Sequence, residues 1–174
     1  NAMEEIIIVG INNTPDRISE YSDTPLGQSY ARFVVKQVKP LIDSLYRTRS
    51  SRENTAVMGS SMGGLISFLF VWWYPDVFSK AGCLSTSIGS RTGEKELEER
   101  FGRRALDKNL RIYMDVGELE PSLVPGNRKL AAYLQKIGYE QGRNLDFFFA
   151  KGALHNEQAW SHRLWRPLKF LFGR

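Results

Sequence analysis

Thr55-Ala56-Val57-Met58-Gly59-Ser60-Ser61-Met62-Gly63-Gly64-Leu65 passes from a short apolar run, through small residues, into a long apolar run. Thr55 to Met58 reads as a buried strand. Met62 to Tyr74 is apolar nearly all round and reads as a buried helix, which Pro75 ends. Between them, Gly59-Ser60-Ser61-Met62-Gly63 matches G-x-S-x-G. The match is weak alone, but a strand on one side and a helix on the other is the setting a nucleophile elbow requires, with Ser61 as the nucleophile. Gly59 and Gly63 are expected where the sharp turn brings backbones too close for a Cβ. The helix N-terminus directs N–H groups and partial positive charge at the same place. The competing interpretation is a serine-rich loop capping a core helix. Ser60 is a poor rival to Ser61 because it has no glycines two residues to either side.

Further strands and helices alternate around this unit. Glu5 to Ile11, Ala81 to Ser85, Leu110 to Val116 and Leu145 to Ala150 read as short apolar strands. Ser29 to Tyr46 carries Tyr30, Phe33, Val34, Val38, Leu41, Ile42 and Leu45 on one helical face, with Pro40 as a kink or break. Helices are also predicted at Glu94 to Phe101, inside the polar stretch Thr86 to Asn109, and at Gly126 to Ile137. A last one spans Asn156 to Leu171, with Pro167 inside it. Such alternation predicts an α/β fold: a three-layer α/β/α arrangement around a mostly parallel sheet of about five strands. Ligands of such sheets bind beyond the carboxyl ends of the strands. Chemistry is therefore expected just after Ile11, Met58, Ser85, Val116 and Ala150.

The chain has 174 residues, 42% hydrophobic and 25% charged, which suits a single folded domain and excludes a disordered one. No apolar run is long enough for a bilayer span, so no membrane partner is expected. The formal net charge of +5 comes from scattered basic residues, with no basic run interleaved with aromatics, so no nucleic-acid partner is expected. Asn1-Ala2 before Met3 reads as a tag scar, leaving 3–174 as one domain. No secretory signal is read at the start. Cys83 stands alone in an apolar context and reads as a small buried residue. The cytoplasm is the expected compartment. No cofactor or metal is expected.

A serine hydroxyl needs a base, and there are two histidines. His155 follows the last strand, where a base of this architecture belongs; His162 falls within the last helix and reads as a helix-surface residue. The base needs a carboxylate to set its tautomer. The loop after the fourth strand offers Asp115, Glu118 and Glu120, and the residues alone leave the three open. Each gives the order Ser, acid, His, that of α/β-hydrolases.

The chain resembles the esterase family that includes esterase D, enterochelin esterases and bacterial feruloyl esterase domains. The resemblance is carried by Ile8-Val9-Gly10-Ile11-Asn12-Asn13 with Arg17, Glu20 and Tyr21, and by Pro40-Leu41-Ile42-Asp43 with Tyr46-Arg47-Thr48. Met58 to Leu65, Tyr74-Pro75-Asp76-Val77-Phe78, Leu84-Ser85, Asp115-Val116-Gly117, and Gly152 to Trp160 complete it. It implies a serine esterase with Ser61 as nucleophile, His155 as base, Glu120 as acid and the Met62 N–H in the oxyanion hole. It also implies that Asn13 and Arg17 line or brace the substrate site, and that Trp160 packs the final helix. The substrate would be a small ester, of siderophore, feruloyl or acyl-sugar type. Relatives carry a hairpin and a further strand before the one at Glu5, and the loop after that strand supplies a second oxyanion donor. Without that segment, the fold is expected to be a partial α/β-hydrolase fold. The strand Glu5 to Ile11 is then expected to move beside Thr55 to Met58, and the chain to form a homodimer. A weakly active or non-catalytic remnant, acting as a binding or oligomerising module, is the alternative.

Overall fold

The structure is a computed structural model that describes residues 3–89, 91–102 and 109–173. Ser90 and residues 103–108 of the predicted polar stretch, and Asn1-Ala2, lie outside the described residues. The elements are, in chain order, α1 (Arg17–Glu20), α2 (Pro25–Phe33), a π-helical turn (Val34–Val38), α3 (Lys39–Leu45), a short 3₁₀ turn (Arg52–Asn54), β1 (Ala56–Ser60) and α4 (Met62–Trp73). They continue with β2 (Lys80–Leu84), α5 (Glu94–Phe101), β3 (Arg111–Gly117), α6 (Val124–Lys136), β4 (Leu145–Ala150), α7 (Glu157–Arg163) and α8 (Trp165–Phe172).

The four strands form one parallel sheet in the order β1-β2-β3-β4. A sequential order joined by right-handed crossovers places every crossover helix on the same face. Accordingly, α4, α5 and α6 share one core with the alternate residues Val57, Ala81, Cys83, Ile112, Met114 and Leu145. Phe101 of α5 stands edge-on to Phe68 of α4 at 5.2 Å. The opposite residues, Leu84 and Tyr113, face Leu171 of α8 with Trp160, Phe170 and Phe172 around them. The period of two along β3 is thus read out directly: Ile112 and Met114 on one side, Tyr113 on the other. The three-layer α/β/α fold expected from the alternating pattern is the one observed.

Two proline positions show how the long predicted helices divide. Pro40 stands in the first turn of α3, and the turn before it, Val34–Val38, is π-helical. A proline ring lacks an N–H and collides with the carbonyl four residues back, and one wide turn relieves both faults. Pro167 likewise sits in the first turn of α8, after α7 has ended at Arg163.

The first expected strand is not observed. Glu5 to Ile11 joins no sheet, so the sheet of the described residues has four strands rather than five. Nor does the segment sit beside β1, which is an edge strand. The residues just before it are tied down: Met3 bridges Gly173, and Glu4 N–H donates to the Phe172 carbonyl at 2.9 Å. Ile7, Ile8, Val9 and Ile11 are exposed. β-branched residues favour strands because they pack against cross-strand neighbours, and this run has none. Its backbone remains open to water, so the penalty that would have forced pairing does not arise. No helix among the described residues is long and apolar enough to cross a membrane.

Candidate active site

Because the strands are parallel, their carboxyl ends gather at one edge, and the loops there carry Ser61, Ser85 to Ser87, Glu120 and His155. Ser61 is the pivot between β1 and α4, with φ 57° and ψ −120°. A non-glycine residue in that region is strained and is held there by its surroundings. Its N–H donates to the Leu84 carbonyl at 2.9 Å, and its carbonyl accepts from Leu65 N–H at 3.1 Å and from Ser87 N–H at 3.1 Å. A Cβ on Gly59 would stand 2.7 Å from the Gly63 carbonyl carbon, so the turn requires glycine at 59. At Gly63 a Cβ would meet open space, which corrects the expectation for that position. The second tight position is Gly64, where a Cβ would come within 3.0 Å of the Leu84 carbonyl oxygen. Met62 is the first residue of α4, so its N–H has no acceptor within the helix.

The loops after β3 and β4 brace one another. Glu118 N–H donates to the Ala150 carbonyl at 2.9 Å, and Leu119 N–H to the Ala153 carbonyl at 3.0 Å. Gly117 makes this possible, since a Cβ there would run into the Ala153 carbonyl. Glu120, only 3% exposed, accepts from Gly117 N–H at 2.6 Å through Oε2 and pairs with His155 Nδ1 at 2.9 Å through Oε1. The other imidazole nitrogen, Nε2, lies 3.0 Å from Ser61 Oγ. A carboxylate can only accept, so Nδ1 carries the proton and Nε2 presents its lone pair to the serine. The His155 ring meets the Trp160 ring edge-to-face, centroids 4.9 Å apart.

The three carboxylates left open by the residues differ in their partners. Glu118 accepts from Gly152 N–H at 2.8 Å. Asp115 is fully buried and accepts from both Arg163 Nε (3.0 Å) and Nη2 (2.9 Å), from Tyr113 Oη (3.0 Å) and from Ser85 N–H (3.1 Å). Burial and the adjacent Asp115 push the Tyr113 phenol up, which keeps it protonated and a donor. Ser85, itself at φ 44°, accepts from Arg163 Nη2 at 2.8 Å and from Trp160 Nε1 at 2.9 Å. Trp160, expected to pack the final helix, thus also connects this buried network to the His155 ring.

Other expected site residues lie elsewhere. Asn13 is exposed, its amide donating to the Thr14 carbonyl at 3.4 Å, and Arg17 opens α1 with its guanidinium 5.7 Å from the Tyr21 ring centre. The structure brings Ser61, His155 and Glu120 together and leaves Asn13 and Arg17 in local contacts. His162 is exposed on α7. Cys83 is buried, and burial pushes its thiol up, so it is no thiolate nucleophile. Among the described residues, no group of His, Cys, Asp and Glu could hold a metal ion. Sequence reasoning missed Ser85, Ser87 and Arg163. Position after β2 is the signal that could have found the two serines; Arg163 has none, being one arginine among many on a polar helix.

A family model described as Putative esterase matches residues 1–171. The chain belongs to this family. The uncharacterized protein YbbA of Bacillus subtilis is 22% identical over 99% of this chain and 75% of that protein. The enterochelin esterase of Shigella flexneri superposes with a TM-score of 0.76 at 21% identity, over 91% of this chain and 40% of that one. A ferulic acid esterase superposes with a TM-score of 0.69, also at 21% identity, over 82% of this chain and 60% of that one. The chain thus spans less than two thirds of either solved esterase. At these identities the structural likeness establishes the fold, and family membership places the chain among esterase-like hydrolases.

Proposed function

We propose that the chain is a carboxylic ester hydrolase working through a Ser61–His155–Glu120 triad and an acyl-enzyme. Ser61 Oγ attacks the ester carbonyl as its proton passes to His155 Nε2. Glu120 holds the imidazole in the receptive tautomer and stabilises the imidazolium that forms. The Met62 N–H, at the start of α4, donates to the oxyanion. Collapse expels the alcohol, which takes the proton from His155. Water, deprotonated by His155, then attacks the acyl-enzyme; the acid departs and Ser61 regains its proton. The observation carrying this reading is the unbroken hydrogen-bond path from Ser61 Oγ through His155 to the buried Glu120 carboxylate.

The substrate we propose is a small ester of siderophore, feruloyl or acyl-sugar type, a class that includes the esters named for the solved esterases. Asn13 and Arg17 are proposed to bind or brace it. The exposed apolar row Ile7 to Ile11 favours a further proposal, that the chain self-associates as a homodimer. A fluorophosphonate probe, followed by peptide mapping, tests the chemistry. Labelling of Ser61, abolished by Ser61→Ala and His155→Ala and kept by Ser60→Ala, is the expected result; labelling at another residue overturns it.

A further inference from the structure

We propose that Ser87 is a catalytic residue whose hydroxyl donates a hydrogen bond to the Ser61 nucleophile and stabilises the negative charge that gathers on it. This rests on the ester hydrolase reading and adds a group to its chemistry. Ser87 Oγ lies 3.1 Å from Ser61 Oγ. Either oxygen has the chemistry to donate, and the rest of the site decides which does. Glu120 accepts the Nδ1 proton of His155, which leaves Nε2 as a bare acceptor. The single Ser61 proton is committed to Nε2. The Ser61–Ser87 bond therefore takes its proton from Ser87, and Ser61 Oγ is the acceptor.

A donor aimed at the attacking oxygen is worth most when that oxygen is most negative. In the resting serine it is a neutral bond. As the proton passes to His155 the oxygen gains charge, and the Ser87 bond becomes charge-assisted. The same atom is the leaving oxygen in deacylation, so the donor acts in both halves of the cycle. Being stronger in the transition state than in the ground state, it acts on kcat rather than KM.

The segment holding Ser87 is built rigidly for this. Ser87 N–H donates to the Ser61 carbonyl at 3.1 Å, so the two serines are tied by backbone as well as side chain. The Thr86 carbonyl accepts from the buried Asn127 amide at 2.8 Å and from Ile88 N–H at 2.7 Å. Ser85 N–H bonds the Asp115 carbonyl at 2.9 Å, and the strained φ of Ser85 turns the chain back toward the elbow. A donor fixed before the reaction costs no reorganisation during it.

The test compares the isosteric pair Ser87→Thr and Ser87→Val, with Ser87→Ala beside them, by the rate constant for fluorophosphonate labelling of Ser61 and by thermal unfolding. The threonine variant keeps the hydroxyl and is expected near the wild-type rate. The valine and alanine variants are expected to label about 10- to 100-fold more slowly, the effect of losing one hydrogen bond to a developing charge. Their pH profiles are expected to keep the wild-type shape, since His155 retains both partners. The threonine and valine variants match in bulk, so a packing role would move both alike. Equal rates in those two variants, or an alanine rate within about twofold of wild type, would overturn the assignment while leaving the triad standing. A wild-type chain labelled at a residue other than Ser61 overturns the ester hydrolase reading and this one with it.

Discussion

Arg163 and Asp115 form a bidentate pair in the interior, with Nε 3.0 Å from Oδ2 and Nη2 2.9 Å from Oδ1. Asp115 is fully buried and Arg163 nearly so. The pair fastens the last residue of α7 to the end of β3, and α7 begins just after His155. It also accounts for the division of labour among the loop carboxylates. Asp115 is consumed by structure, which leaves the imidazole to Glu120.

Removing one member of this pair strands the other charge in the interior. Arg163→Leu is therefore expected to lower stability by about 3–5 kcal/mol. Urea unfolding followed by circular dichroism measures it. A loss under about 1 kcal/mol, the range of a surface pair, would contradict the buried geometry.

The acid should declare itself kinetically. Glu120→Gln presents an amide to Nδ1 and permits the wrong tautomer, so the labelling rate of Ser61 is expected to drop by about 10²–10⁴. Glu118→Gln keeps a carbonyl oxygen for Gly152 N–H and is expected to label near the wild-type rate. Asp115→Asn is expected to cost stability more than rate. A larger rate loss at 118 than at 120 would reassign the acid.

Glycine requirements at the elbow differ by position. Gly59→Ala would push a methyl onto the Gly63 backbone, and overpacking of this kind costs about 1–3 kcal/mol. Gly63→Ala meets open space within a helix and is expected to leave stability unchanged or to raise it by about 0.4–1 kcal/mol. Thermal unfolding of the two variants separates them, and equal losses would contradict the asymmetry.

How far the sequence could be read follows from the range of the interactions involved. β2, β3, β4 and α4 were legible because their apolar runs are local signals, and those expectations fell within a residue or two of the observed bounds. Gly59-Ser60-Ser61 was legible because one strained turn demands small residues at fixed spacing. Glu5 to Ile11 misled because strand propensity describes a surface fit for neighbours, and the neighbours are not written in the segment itself. The π-helical turn before Pro40 was legible only as a break, since proline dictates a fault and not how the helix absorbs it. Arg163 was illegible because its partner Asp115 is distant in sequence and meets it only once the sheet has formed. For Ser87 the position after β2 was legible, but not its pairing with Ser61.

The row Ile7, Ile8, Val9 and Ile11 stands exposed, Ile8 at 77%. Phe33, Leu41, Leu45 and, on the edge strand β1, Met58 are exposed as well. An exposed apolar row of this kind marks an association site, and an edge strand offers a ladder of backbone donors and acceptors to a second chain. A second copy brings both an extended apolar segment and an open edge, so it can satisfy what the first copy exposes. Sedimentation velocity at micromolar concentration is expected to show a dimer that dissociates on dilution. Ile8→Lys places a charge in the middle of the row, where burial against a partner would desolvate it, and is expected to shift the population to monomer, with an unfolding temperature equal to that of the unaltered chain diluted to monomer. A single monomeric species for the unaltered chain at every concentration would overturn self-association, and a dimer indifferent to Ile8→Lys would move the interface away from this row.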